Sequence, residues 1–330
     1  MRAVIAQNGQ LIKVQHPTPK PSAALQEALV KIYYTAVNRA DILQRKGLYP
    51  PPSNDDTLGL EMSGVVVGDG TSKFPPGSRV MSILESGGYA EYVTVPQDLL
   101  LPVPNGMTLF QAAGVPEAWM TAYQLLHTIS QVKSGNTVLI HAGGSGVGTA
   151  AVQMAAVAGC HVLVTAGTDE KIQRCIDLGA VGGVNYKTCR DGKWSVPIKD
   201  MAGTDGVNAV LDCIGGSYWE QNMDVLAMDG RWTLYGAMGG TKVNGPFFGK
   251  VLQKRLRLEG TTLRSRSVDY KKDLTSCFAR DILPFLENGR YQAILDKKSF
   301  SLEDVEASHE YVERNANIGK VILKVDESEK

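Results

Sequence analysis

The stretch TVLIHAGGSGVG, residues 137–148, joins a short apolar run to a glycine-rich turn. The run contains β-branched side chains, which is typical of a buried parallel strand. Small and apolar residues at helical spacing follow the turn, from Thr149 to Ala155. Glycines let backbone approach a ligand closely, and the free N–H groups of a new helix attract phosphate. This order of strand, turn and helix predicts a dinucleotide-binding unit.

The turn departs from the common G-x-G-x-x-G pattern. Ser145 and Thr149 stand where glycines would be needed for a full match. A glycine turn that only packs a helix against a sheet is therefore the alternative. We expect the cofactor to contact the whole turn, made of Ser145, Gly146, Val147 and Gly148.

Length and composition narrow the class of protein. The chain has 330 residues and equal numbers of basic and acidic side chains, 34 of each. This length predicts two domains. Neutral charge gives no electrostatic footprint for nucleic acid or for a membrane surface, and no apolar run is long enough to span a bilayer. We expect a cytoplasmic protein for which nucleic acid is an unlikely partner.

The cysteines are five in number and widely spaced, and none forms a C-x-x-C pair. They are Cys160, Cys175, Cys189, Cys213 and Cys277. An odd number at such spacing argues against a disulfide framework and against a structural zinc site. We expect free thiols and no bound metal.

The N-terminal section, residues 1–117, contains short strand-like runs separated by turn residues. The runs lie at 30–34, 63–67, 79–84 and 89–95, and the turn clusters at 50–55 and 74–77. Evenly spaced short strands predict a barrel-like β domain.

Strands alternate with helical patterns over residues 118–260, which predicts a doubly wound parallel sheet in an α/β fold. The strands are expected near 137–142, 161–166, 181–186, 207–212 and 231–236. Helices near 271–287 and 303–314 then precede a last strand at 320–325. We expect that strand to return to the first domain, which would then comprise residues 1–117 and 261–330.

The choice of cofactor depends on the end of the second strand of this sheet. In NAD-binding sheets an acidic residue there accepts a hydrogen bond from the ribose 2′-OH. Here the strand ends in Ala166 and Gly167 without an acid, which leaves room for a 2′-phosphate, and we expect Gly167 and Thr168 to contact the cofactor. Lys171 can reach that phosphate and Tyr186 can flank it. Asp169 is the alternative: it could bind NAD, or complement the helix dipole after Thr168 as N-cap. The pattern favours NADPH.

Fragments along nearly the whole chain resemble one family. They are NRADILQR (38–45), LGLE (58–61), PEAWMTAYQLLH (116–127), SGVG (145–148), LDCIGGSYWE (211–220), DGRW (229–232) and NIGK (317–320). Together they resemble the zinc-free medium-chain dehydrogenases/reductases of the quinone oxidoreductase group. The resemblance implies a GroES-like catalytic domain, a Rossmann domain that binds NADPH, and a homodimer formed through the Rossmann domains.

The resemblance also bears on metal chemistry. Zinc-dependent relatives carry a cysteine ligand at the position of Asn38, and Gly-His-Glu where this chain has Gly-Leu-Glu at 59–61. A catalytic zinc would lose two of its three protein ligands, so no metal could polarise a carbonyl. Conjugated acceptors such as quinones and enones need less electrophilic help, because the incoming charge spreads over their π-system.

Four residues are candidates for contacts with acceptor or nicotinamide, each with a structural alternative. The Tyr49 ring can stack on the nicotinamide or an aromatic acceptor and its hydroxyl can donate, or it can close a loop. The Ser145 hydroxyl can contact cofactor and acceptor, or cap a helix. Asn38 can be a polar contact or a buried turn residue, and Thr121 can hold the nicotinamide amide or be an ordinary helical residue. We take Tyr49, Ser145 and Asn38 as the predicted catalytic residues.

The other predicted cofactor contacts are Cys213, Ile214, Tyr235, Leu263, Arg264 and Asn317. His141 is expected to be a packed histidine.

The sequence thus predicts an NADPH-dependent, zinc-independent quinone reductase, with one- or two-electron transfer left open. An enone or enoyl reductase is the enzymatic alternative. An NADPH-binding protein with a structural or RNA-binding role is the alternative from another class.

Overall fold

The computed structural model describes residues 1–49 and 56–326. The contacts between Cα atoms divide the chain into two compact units, one of Met1–Met120 with the residues from Leu263 onward, the other of Thr121–Thr262. The domain changes proposed from the sequence lie at 117/118 and 260/261. The turn cluster expected at 50–55 lies outside the described residues.

Strands occur in both units. In chain order they are β1 (Arg2–Gln7), β2 (Gln10–Gln15), β3 (Glu27–Val37), β4 (Glu61–Val67), β5 (Arg79–Ile83), β6 (Tyr92–Pro96), β7 (Leu101–Pro102), β8 (Thr137–His141), β9 (His161–Ala166), β10 (Gly182–Asn185), β11 (Val207–Asp212), β12 (Leu226–Leu234), β13 (Arg257–Gly260), β14 (Phe300–Ser301) and β15 (Val321–Lys324).

The α-helices are α1 (Arg39–Arg45), α2 (Leu109–Ala112), α3 (Pro116–Tyr123), α4 (Gly146–Val157), α5 (Asp169–Asp177), α6 (Ser195–Ala202), α7 (Trp219–Val225), α8 (Phe247–Lys254), α9 (Val268–Asp281), α10 (Leu283–Glu287) and α11 (Val305–Glu313). A π-helical stretch, Gln124–Ile129, continues α3. Within the described residues, no helix combines the length and apolar character needed to cross a membrane.

The first unit begins with a hairpin that the sequence analysis did not predict. β1 and β2 are antiparallel, and Gln7 pairs with Gln10 across the turn. Asn8 and Gly9 both have positive φ, 51° and 81°. Asn-Gly is the preferred pair for such a two-residue turn, because its twist matches that of the flanking strands. The Asn8-Gly9 pair is therefore a sequence pattern that predicts this hairpin turn.

The larger sheet of the first unit has the order β14-β15-β3-β4-β5-β7, and β6 pairs with β3. Its strands bury alternate apolar side chains, among them Val30 and Ile32 on β3 and Val80 on β5. The last strand, β15, lies antiparallel to β3, with Val321 opposite Val37. The C-terminal segment therefore completes the β structure begun at the N-terminus, as predicted.

The second unit contains a parallel sheet of order β10-β9-β8-β11-β12-β13. Val138, Leu139 and Ile140 on β8 are fully buried at its centre. Sequence order reverses between β8 and β11, and ligands of such sheets bind outside the carboxyl ends of the strands at that point. The predicted doubly wound α/β architecture is confirmed.

Two local expectations were wrong, and one strand was not predicted. The helix expected over 271–287 is two helices, because Pro284 has no N–H to continue the ladder of backbone hydrogen bonds. The strand expected from 89 begins only at Tyr92, since Tyr89 pairs its backbone with Leu58 and Val4 instead. The sixth strand of the parallel sheet, β13, was missed because its four residues are all exposed and carry no apolar pattern.

Candidate functional site

The glycine-rich turn leaves β8 at the carboxyl end of the parallel sheet and opens α4. The Ser145 Oγ accepts a hydrogen bond from the Gly148 N–H at 3.0 Å, so Ser145 is the N-cap of α4. A Cβ added at Gly148 would lie 2.4 Å from the carbonyl oxygen of Ala142, so the turn folds tightly only with glycine there. The Ser145 hydroxyl keeps its hydrogen for donation, and its contact with a cofactor remains a prediction.

The residues predicted to surround a 2′-phosphate lie just beyond the ends of β9 and β10, and Lys171 is in the first turn of α5. Thr168 caps α5, since its Oγ1 accepts from the Lys171 N–H at 3.3 Å. A Cβ added at Gly144 would come within 2.9 Å of the Lys171 stem, and one at Gly167 within 2.8 Å of the Tyr186 hydroxyl. The fold thus brings Lys171 to the glycine turn and Tyr186 to the end of β9.

The alternative acid, Asp169, is already engaged. Its Oδ1 accepts a hydrogen bond from the Asn185 Nδ2 at 2.9 Å, at the end of β10. β9 itself ends in Ala166 and supplies no carboxylate. The strand end where an NAD-binding sheet places its acid therefore carries none.

A buried polar network lies below the turn that carries Cys213 and Ile214. The Asp212 carboxylate accepts from the Ile214 N–H at 2.6 Å, the Asn222 Nδ2 at 3.0 Å and the Trp232 Nε1 at 2.9 Å. These contacts fix the backbone that follows β11. Burial also raises the pKa of the Tyr235 hydroxyl, which lies near Cys213.

His141 extends this network. Its Nδ1 lies 2.8 Å from the Thr165 Oγ1 and its Nε2 lies 2.8 Å from the Asn222 Oδ1. The ring is fully buried, and burial lowers the pKa of His141, which favours the neutral imidazole. A neutral ring with both nitrogens bound agrees with the packed histidine expected. We call Asp212, Asn222, His141, Thr165 and Trp232 the Asp212 cluster.

Asn38, a predicted catalytic residue, is held by a buried ion pair in the first unit. Its Nδ2 donates to the Glu61 Oε1 at 2.8 Å, and its Oδ1 accepts from the Lys320 Nζ at 2.6 Å. Lys320 and Glu61 form an ion pair at 2.6 Å and are 5% and 0% exposed. The amide of Asn38 therefore bridges two charged groups, and its catalytic role remains a prediction.

These residues do not make a zinc site. The Asn38 amide is occupied by Glu61 and Lys320, and Leu60 is a buried aliphatic side chain that offers no ligand atom. No group of three His, Cys, Asp or Glu side chains suited to a metal occurs in the part of the chain that the structure describes. The donor set fits a salt-bridged hydrogen-bond network rather than a tetrahedral metal centre.

Glu117 is a titratable residue to which the sequence analysis gave no role. Its backbone N–H donates to the Glu61 Oε2 at 3.0 Å. Burial, with the charge of Glu61, raises the pKa of the Glu117 carboxyl to about 8, so this carboxyl holds a proton at neutral pH. In the sequence, Glu117 resembles an ordinary acid in the first turn of α3.

Tyr49 and Arg264 lie together in the first unit. The guanidinium carbon of Arg264 is 5.5 Å from the centre of the Tyr49 ring, and the Arg264 Nε donates to the Glu85 carbonyl oxygen at 2.6 Å. Arg264 is 4% exposed, and its neighbour Leu263 is equally buried. Burial raises the pKa of Tyr49 and lowers that of Arg264. A cation thus faces an aromatic ring in a largely dry environment.

The remaining two predicted contacts have ordinary surroundings. Thr121 is buried on α3. The Asn317 Nδ2 donates to the Gly319 carbonyl oxygen at 2.7 Å, which stabilises the turn before β15. The cofactor contacts predicted at Thr121 and Asn317 remain predictions.

Comparisons with known proteins agree with this geometry. Residues 24–105 match the family "Alcohol dehydrogenase GroES-like domain", and residues 146–280 match the family "Zinc-binding dehydrogenase". A quinone oxidoreductase from Salmonella typhimurium is 31% identical over 87% of this chain and 88% of its own length. These matches cover both units.

Two solved structures are similar along their whole length. An NAD-dependent alcohol dehydrogenase is 30% identical, with a TM-score of 0.85 over 99% of this chain and 100% of its own. A quinone oxidoreductase from Escherichia coli complexed with NADPH is 26% identical, with a TM-score of 0.88 over 98% of this chain and 100% of its own. The GroES-like domain, the parallel cofactor sheet and these similarities show an oxidoreductase fold that binds NAD(P). The chain therefore belongs to the medium-chain dehydrogenase/reductase family, in its quinone oxidoreductase group.

Proposed function

We propose that this protein is an NADPH-dependent reductase of quinones that works without zinc. The observation that carries the proposal is the arrangement at the carboxyl end of the parallel sheet. There the Lys171 stem lies along the glycine turn and the Tyr186 hydroxyl lies against Gly167, while β9 ends without an acid. This arrangement fits a 2′-phosphate, because Lys171 supplies a positive charge and Tyr186 a hydroxyl donor.

The turn at the start of α4 fits the rest of the dinucleotide. Its tight fold presents the first N–H groups of a helix of 12 residues, where pyrophosphate is favoured. When bound, NADPH supplies a hydride to the acceptor. The side chains named above hold the cofactor at its 2′-phosphate and pyrophosphate, and the Asp212 cluster fixes the strand-end turn at Cys213 and Ile214.

The first unit supplies residues suited to an aromatic acceptor. Tyr49 offers a flat ring on which a quinone can stack, and Arg264 faces that ring. Glu117 holds a proton at neutral pH, which a reduced acceptor oxygen needs. No step needs a metal, since the positions of Asn38 and Leu60 provide no zinc ligands.

A screen of NADPH oxidation across ortho-quinones, para-quinones and enones tests the proposal. We expect turnover with quinones, preference for NADPH over NADH, and full activity after dialysis against a strong chelator. Turnover with enones alone would instead identify an enone or enoyl reductase. Stoichiometric zinc whose removal abolishes turnover would contradict the metal-free mechanism. A stopped-flow search for semiquinone during turnover separates one-electron from two-electron reduction.

Within the quinone oxidoreductase group, we propose that the chain is of the p53-inducible quinone oxidoreductase type. We also propose a homodimer. β13 forms an edge of the parallel sheet and its four residues are exposed, so a second copy could pair with it. Sedimentation velocity of the full chain tests this, and a monomer at all concentrations would contradict it.

A further inference from the structure

The buried guanidinium of Arg264 has hydrogen-bonding capacity that the fold does not use. The side chain is 4% exposed, and its Nε donates to the Glu85 carbonyl oxygen. Its Nη1 and Nη2 are buried, and no described residue accepts a hydrogen bond from either. Guanidinium groups stay charged in proteins, so these donors are costly to bury without partners. Such a group is well suited to receive a ligand oxygen.

Among residues 1–49 and 56–326, the Arg264 guanidinium is hydrogen-bonded through its Nε alone. The Glu85 carboxylate forms an ion pair with Lys271 at 2.5 Å, and Lys271 is itself buried. The Glu85 charge is therefore compensated by Lys271, while the Glu85 backbone oxygen fixes the Arg264 Nε. The positive charge of Arg264 has no carboxylate in direct contact among the described ion pairs. We call Arg264, Tyr49, Glu85, Lys271 and Glu117 the Arg264 cluster.

The Tyr49 ring lies next to the same guanidinium group. Its centre lies 5.5 Å from the guanidinium carbon. An aromatic ring next to these donors suits a flat conjugated carbonyl compound, whose ring can pack against it. Two parallel N–H groups suit an oxygen that gains negative charge, because charge-assisted hydrogen bonds strengthen as that charge develops.

We infer that Arg264 binds the carbonyl oxygen of the acceptor and stabilises the negative charge that forms on it during reduction. This inference rests on the proposed function and assigns Arg264 a contact with the acceptor, whereas the cofactor contact expected from the sequence stays an untested prediction. The acceptor gains one hydride, that is two electrons and one proton, and NADPH becomes NADP⁺. The second proton comes from solvent by way of a protonated side chain, and Arg264 keeps its own protons throughout.

The test compares Arg264→Gln with Arg266→Gln, which removes a charge two residues away, where the side chain packs on Tyr270 instead. We expect Arg264→Gln to lower kcat/KM for 9,10-phenanthrenequinone by about 100-fold, as for loss of an oxyanion donor. Its dissociation constant for NADPH should stay unchanged, and Arg266→Gln should resemble the wild type. A proportional loss of NADPH affinity would overturn the inference, because it would make Arg264 a cofactor ligand.

Benzoate provides an arm that needs neither turnover nor cofactor. Its carboxylate can accept hydrogen bonds from both Nη atoms at once. Isothermal titration calorimetry should therefore show benzoate binding to the wild type and none to Arg264→Gln. Equal binding to both would overturn the inference. If the wild type reduces no quinone but binds benzoate through Arg264, the proposed function fails and the oxygen site stands.

If Arg264→Gln melts well below the wild type, Arg264→Lys replaces it. Arg264→Lys keeps the positive charge but lacks the planar pair of Nη donors. If this variant binds benzoate as tightly as the wild type does, the inference that the two Nη donors form the site is overturned.

Discussion

The Asp212 cluster and the Arg264 cluster are both buried and polar, but they differ in whether their hydrogen bonds are complete. In the Asp212 cluster the carboxylate accepts from backbone, amide and indole donors, and both nitrogens of His141 are bound. In the Arg264 cluster, two guanidinium nitrogens have no acceptor among the described residues. A complete network fixes backbone, whereas an incomplete one is suited to a ligand. The first cluster should therefore matter to stability and the second to chemistry.

The largest effect should come from Asp212→Ala. It would leave the donors of Asn222, Trp232 and Ile214 buried without their acceptor, so we expect the free energy of unfolding to fall by about 3–5 kcal/mol. Urea denaturation measures this. The matched control is Asp224→Ala, because Asp224 lies in a half-exposed ion pair with Lys250 and its loss should change stability by less than about 1 kcal/mol. Similar losses for the two variants would show that the network has no special structural role.

Arg264→Met should lower activity without lowering stability. Replacing an unpaired buried charge by an apolar side chain of similar length should leave the free energy of unfolding unchanged or raise it by about 1–4 kcal/mol. Quinone turnover should fall by about 10²–10³-fold, because the proposed oxygen donors are lost. Urea denaturation and steady-state kinetics on the same preparation check both. Destabilisation comparable to that of Asp212→Ala would assign Arg264 to the framework.

Lys171→Ala tests the contact proposed between the second unit and the 2′-phosphate of the cofactor. Loss of a charged hydrogen bond to the 2′-phosphate should weaken NADPH binding by roughly ten-fold or more, about 1.5–3 kcal/mol, and leave NADH little changed. Fluorescence titration with each cofactor measures this. Arg174→Ala, one turn further along α5, is the control and should change neither affinity. Equal losses for NADPH and NADH would remove Lys171 from the phosphate site.

Glu117→Gln should have the smallest effect, and one that depends on pH. The pKa of Glu117 is raised in the folded state to about 8 from an ordinary value of 4.5, so the folded chain binds this proton more tightly than the unfolded chain. The contribution of Glu117 to the free energy of unfolding therefore falls as pH rises from about 4.5 to 8. Between pH 7 and pH 8 we expect the advantage of Glu117→Gln over the wild type to grow by roughly 1 kcal/mol. A difference independent of pH would mean that Glu117 is ionised throughout.

The elements that the sequence predicted best are those with a strong local pattern. β8 and its glycine turn combine a buried apolar run with a helix start, and both lie where the pattern placed them. The Asn-Gly hairpin at residues 8–9 was equally readable and was overlooked. β13 and the break before α10 were harder to predict, because an exposed edge strand lacks alternation and the helical spacing of apolar residues continues across Pro284.

The α/β class, the parallel sheet with its cofactor turn, and the resemblance to zinc-free reductases could all be predicted from the sequence, because each rests on short runs of residues that are neighbours in the chain. The surroundings of single polar side chains became visible only in the folded chain. Folding brings Asn38 into contact with Glu61 and Lys320, and Glu117 next to Glu61. It also buries Arg264 next to Tyr49. Asn38 and Lys320 are 282 positions apart, so their pairing arises from packing, and no local pattern in the chain encodes it.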